Sequence, residues 1–158
     1  MQIENHHQEA AHEILPIVGR YISLKNRDTS LELLSALGTL TGQLALRSNI
    51  ETGERVLELF NTMRIMCEEN DLTEANQDGI KIPAVDFDFL IDVVLGTSSD
   101  IEKVFNQFSI QGADKEIVTM CAVVLAIGLA KNEFAEDVSG LLPYVTHTMV
   151  AGSKTVIK

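Results

Sequence analysis

Three of the four histidines crowd into one short stretch. HHQEAAHE, residues 6 to 13, holds His6, His7 and His12 together with Glu9 and Glu13. Glu9 to His12 repeats the E-x-x-H spacing with which di-iron helix bundles set two ligands on one helical face. Such a centre also needs a second E-x-x-H and two further inward glutamates. The remaining histidine, His147, has Tyr144 where the glutamate would stand. His7, Glu9 and His12 are therefore left as candidate ligands for adventitious metal, and a polar helix start accounts for them equally well.

A second candidate lies in EANQDGIKIPAVDF. Glu74, Asn76 and Asp78 alternate as calcium ligands do in an EF-hand loop, and Gly79 stands where that loop turns sharply. The resemblance covers about a dozen residues and fails at the twelfth position. Val85 replaces the bidentate glutamate there, and Asp86 follows one residue late. Asp86, Asp88 and Asp92 share only a composition with a catalytic acidic trio: the first two lie about 200° apart on a helix, although Asp88 and Asp92 share a face. No phosphate loop, nucleophile elbow, H-E-x-x-H or dinucleotide fingerprint occurs. The sequence thus assigns no catalytic residue and calls for no cofactor.

Cys67 and Cys121 sit inside apolar helical patterns at no metal or disulfide spacing, which predicts buried, reduced thiols and a cytoplasmic location. The opening MQIENHHQEAAHE lacks the basic and apolar blocks of a secretory signal. The longest uncharged run, residues 117 to 130, is shorter than the roughly 18 to 20 residues a membrane helix needs. Net charge is −11, and residues 51 to 102 contribute most of it, with thirteen acids against Arg55, Arg64 and Lys81. A chain without a basic stripe cannot release phosphate counterions, so nucleic acid is excluded as a partner. The acidic 51–102 region is instead a solvated face, or a docking surface for a basic protein.

These groups must be positioned by helices, because no segment alternates long enough for a sheet. Ile14, Val18 and Ile22 fall on one helical side, with Pro16 predicting a kink or restart. TSLE at 29–32 forms a capping box for a second helix. That helix contains SALGTLTGQLAL, which carries no charge on any face. Leu33, Leu37, Leu40 and Leu44 line one side of it; Ser35, Gly38, Gly42 and Ala45 form a thin opposite side that another backbone can approach closely. A third helix spans 53 to 69 behind Thr52. A fourth follows Pro83 and ends at Gly96, and a fifth starts from the capping box of Ser99 and Glu102. A second water-poor helix runs from Asp114 to about Ala135, and a last one from Pro143 to Ala151, with 152–158 as a frayed tail.

The composite is all-α: one domain over 1–158, a compact array of six to seven helices around two nearly uncharged central ones. Its surplus apolar surface points to a non-enzymatic protein that acts by self-association or by binding another protein. A homodimer through the face of Ser35, Gly38, Gly42 and Ala45 is its simplest form. The alternative is a small helical enzyme, or a metal- or small-molecule-binding protein with a pocket between helices.

Overall fold

Both water-poor stretches form long helices, and they lie against each other in the middle of the molecule. The computed structural model describes residues 3–22, 27–47, 51–72, 86–134 and 141–154, and its regular structure there is entirely helical. Among the described residues six helices follow one another: α1 (Asn5–Gly19), α2 (Arg27–Leu46), α3 (Thr52–Glu69), α4 (Phe87–Gln107), α5 (Asp114–Phe134) and α6 (Leu141–Ser153). None of them is long and apolar enough to cross a membrane.

The central pair is α2 and α5. α2 packs most extensively on α6 and next on α5, while α5 also carries α1 and α3. Leu33, Leu34, Leu37, Val118, Met120 and Ile127 are buried. Among the described residues most buried polar side chains are hydrogen-bonded, but Thr39 Oγ1 of α2 is buried without a partner. Ser35 Oγ donates to Leu31 O at 2.6 Å, and Thr41 Oγ1 lies 2.7 Å from Leu37 O and 2.9 Å from Thr119 Oγ1 of α5. Such hydroxyls spare an apolar helix the cost of an unpaired buried polar atom.

Several helix bounds differ from those the sequence suggests. α1 runs through Pro16 without a break, because Ile14, Ile17 and Val18 on both sides of the proline are anchored in the core and the proline itself is exposed. α2 starts at Arg27, two residues before the capping box. α3 is capped by Glu51 instead of Thr52: its carboxylate accepts from the Gly53 and Glu54 backbone N–H groups at 3.1 and 2.7 Å. α4 begins behind Asp86, whose Oδ1 accepts from Phe89 N, and neither ends at Gly96 nor restarts at Ser99. An unbroken buried stripe through Leu90, Val93, Val94, Ile101, Val104 and Phe105 outweighs the stop signal at Gly96 and the start signal at Ser99. Gly96 is instead where Tyr21 lies close, since a Cβ there would come within 2.6 Å of the phenol oxygen. Gly152 and Ser153 belong to α6 and are buried; the rest of the expected tail beyond Lys154 lies outside the described residues.

α3 and α4 end alike. After α3, Asp71 takes the left-handed conformation (φ 57°) and Leu72 N donates to Cys67 O at 2.8 Å; after α4, Ser109 (φ 57°) and Ile110 repeat this with Phe105 O at 2.8 Å. Both are Schellman closures, in which a left-handed residue turns the next apolar side chain back onto the helix. Leu72 and Ile110 are accordingly buried.

Candidate functional site

A concavity opens where α1, α3 and α5 diverge, and the closure of α3 shapes it. By turning the chain at Asp71, that closure sets Leu72 and Met66 as one wall, opposite a floor of Cys121, Val124, Leu125 and Gly128 from α5. Three primary amides from three helices or their ends stand around it: Gln8, Asn70 and Asn132. The cavity measures about 360 Å³, at the small end of ligand sites. Asn70 Nδ2 donates to Met66 O at 2.7 Å, which fixes the orientation of that amide. Burial pushes the Cys121 thiol up to about 12 and the Cys67 thiol up to about 11. Both cysteines are therefore protonated at neutral pH and act as small apolar groups rather than nucleophiles.

Gly128 gives the cavity its depth. A Cβ at this position would meet only Leu72 Cδ1, at 3.9 Å. A glycine inside a helix costs about 1 kcal/mol relative to alanine, a cost usually offset by close packing. At Gly128 no backbone approaches, and the space stays open.

The N-terminal histidines divide. Glu9 and His12 share an E-x-x-H spacing but are exposed, and His147 is exposed as well. His7 points inward at 3% exposure, its Nε2 3.6 Å from Asp114 Oδ2, and the His6 ring lies beside it, tilted by 42° with 4.1 Å between ring centroids. Ligand-type atoms of His6, His7 and Asp114 thus lie within 4.8 Å of one another. The proton arrangement argues against a preformed metal site. Glu4 N–H donates to His7 Nδ1 at 3.0 Å, so in the neutral ring the proton sits on Nε2, where a metal would need the lone pair. A ligating histidine donates from its other nitrogen; His7 accepts there. The arrangement is an N–H facing a carboxylate at longer than hydrogen-bond distance.

Of the acidic candidates, Asp86 is the α4 cap, Asp88 and Asp92 are exposed, and Glu74, Asn76 and Asp78 lie outside the described residues. Sequence reasoning missed the buried charge pair. Arg55 and Glu116, 3% and 1% exposed, join α3 to α5 with Arg55 Nε 3.4 Å from Glu116 Oε1. The other guanidinium nitrogens donate to Glu58 Oε1 at 2.8 Å and Ala113 O at 2.7 Å. Burial raises the Glu116 carboxyl, and Arg55 acts against that rise. One signal was available: Arg55 stands at positions i−4, i−8 and i−12 to Leu59, Met63 and Cys67, in line with the buried stripe of α3.

The thin face of α2 lies against α6 of the same chain. A Cβ on Gly38 would come within 3.0 Å of Val145 O, and one on Gly42 within 2.7 Å of Ser153 N. Ser35 and Ala45 are buried too, as are Val145 and Met149 of α6. Gln43 Nε2 reaches across and donates to Gly152 O. The chain matches no family model, no curated protein and no solved structure, so its site is read from its own residues.

Proposed function

We propose that the protein acts without chemistry of its own, by holding a basic amphipathic segment of another protein on the outer face of α3. The observation that carries this is an apolar line set in an acidic frame. Leu57 and Ile65, 60% and 46% exposed, are two helical steps of four apart, with Asn61 between them. Glu54 and Glu58 flank the line and border the shallow groove it forms. Arg55 and Arg64 hold Glu58 and Glu68 at 2.8 and 2.9 Å, so these carboxylates are already positioned. A partner helix with apolar residues at matching spacing and lysines or arginines beside them would cover the leucine and isoleucine and meet the glutamates.

Self-association is the weaker form of this reading. The face of Gly38 and Gly42 is taken up by α6, and a second copy at α3 would bring more glutamates to an acidic surface. The test is photo-crosslinking from p-benzoylphenylalanine placed at Asn61, in extract of the native host. The expected product is a crosslinked basic protein whose recovery falls about tenfold in a Leu57→Asp/Ile65→Asp variant with an unchanged helical CD spectrum, and falls with added salt. Equal recovery from the double variant would remove this face from the function. Light scattering that gave a dimer abolished by the same changes would assign the face to self-association instead.

A further inference from the structure

Most glycines inside these helices answer to a neighbouring backbone or ring: Gly38, Gly42, Gly96 and Gly152 each have an atom that an added Cβ would strike. Gly128 does not, and the room it leaves is the floor of the cavity between α1, α3 and α5. We propose that this cavity is a binding site for a small uncharged molecule with an apolar body and a hydrogen-bonding edge, the body lying over Gly128 and the edge meeting the amides of Gln8, Asn70 and Asn132.

The class of ligand follows from what lines the cavity. Each primary amide offers both a donor and an acceptor and carries no charge. The one ionisable lining group is Cys121, and burial keeps its thiol neutral. Of the charged residues next to the lining in sequence, Lys131 and Asp71 engage each other, since Lys131 Nζ donates to Asp71 O and lies 3.8 Å from the Asp71 carboxylate, while Glu9 and Glu69 are exposed to solvent. A charged ligand would therefore surrender hydration to a wall of leucine, valine and methionine without finding a counter-charge. A neutral one gains apolar contact and exchanges its water hydrogen bonds for amide ones. The three amides come from different parts of the chain, so only the folded state brings them together, and they surround a helical glycine at which an added Cβ would meet nothing nearer than 3.9 Å.

The test uses three probes with one body. Naphthalene-2-carboxamide, 2-naphthoate and 2-naphthylmethylammonium are neutral, anionic and cationic on the same ring system. Titrations of the full-length protein are followed by NMR, on the side-chain amide signals of Gln8, Asn70 and Asn132. The carboxamide is expected to shift these signals saturably with a Kd of about 1 mM or tighter, the scale for so small a probe. Both ions should bind at least about fivefold more weakly. Gly128→Leu, which fills the floor, should abolish the shifts, and Asn132→Ala at the exposed rim should weaken the carboxamide several-fold without changing the melting curve. Should Gly128→Leu fail to fold, Asn132→Ala decides. Absence of saturable shifts, equal binding of a charged probe, or unchanged affinity in the folded variants would overturn the proposal.

Discussion

The two flanks of α5 and its central partner are built on opposite uses of glycine. On the α2–α6 side, Gly38, Gly42 and Gly152 let backbones meet: a Cβ on Gly152 would come within 2.9 Å of Thr39 Cα, and one on Gly42 within 3.0 Å of Gly152 C. On the α1–α3 side, Gly128 meets nothing nearer than 3.9 Å and a cavity of about 360 Å³ opens over it. The first flank is joined by backbone contact. The second is joined by a charge pair, Arg55 with Glu116, and leaves both a cleft and an exposed apolar line on α3. The same residue type thus marks a close backbone seam on one flank and an open cavity floor on the other, and only its neighbours tell which.

The largest way to break this contrast is to remove the charge that joins the second flank. Arg55→Met should cost about 3–5 kcal/mol in urea denaturation at pH 7, because it leaves Glu116 buried and unpaired. The loss should shrink on acidification. Burial raises the Glu116 carboxyl above its ordinary 4.5 in the folded state, so within that window the folded chain binds more protons than the unfolded one and stability increases as pH falls. Without the opposing guanidinium the dependence steepens. A loss under about 1 kcal/mol, or one independent of pH, would show that the pair does not anchor α3.

Next in size, Gly42→Leu should destabilise by about 3 kcal/mol through overpacking against α6. A denaturation midpoint equal to that of the parent would undo the close-contact assignment. Smaller and opposite in sign, Asp71→Gly should stabilise by about 1 kcal/mol, since a left-handed conformation costs a residue with a Cβ roughly that much. Its exposed contact with Lys131 is worth little in return. Ser109→Gly should do the same at the end of α4, so a gain at one closure and a loss at the other would set the two apart. Smallest of all, Gly128→Ala should gain about 0.5–1 kcal/mol by helix propensity, while Gly42→Ala loses stability. Matching signs in thermal melts would erase the distinction between the two flanks.

How far the sequence reaches depends on how local the cause is. α5 is legible almost to the residue, because an uncharged run preceded by Asp114 and Glu116 and followed by Lys131 fixes a helix and its direction. The all-α class and the two central helices follow from the same kind of pattern. α4 reads as two helices because Gly96 is a local stop signal and SSDIE a local start signal, and a long buried stripe overrides both. The thinness of the Gly38 and Gly42 face was legible, but its neighbour was not, since α6 lies far along the chain. Arg55 reads as one more charge in an acidic segment until its register with Leu59 and Met63 is counted. The cavity was invisible for a simpler reason: its walls come from α1, the end of α3 and α5, and Gly128 on paper looks no different from Gly38.

The close seam between α2 and α6 has a consequence in time. Gly42 and Met149 are separated by roughly a hundred residues, and ribosomes add about 5–20 residues per second, so α2 is made several seconds before the helix that covers its thin face. During that interval SALGTLTGQLAL can turn its leucines toward earlier segments, but its glycine side has only solvent or another nascent chain to meet. Contacts this distant in sequence also form late and slowly. The interval during which this thin face stands uncovered is therefore set during synthesis by the position of α6 in the chain.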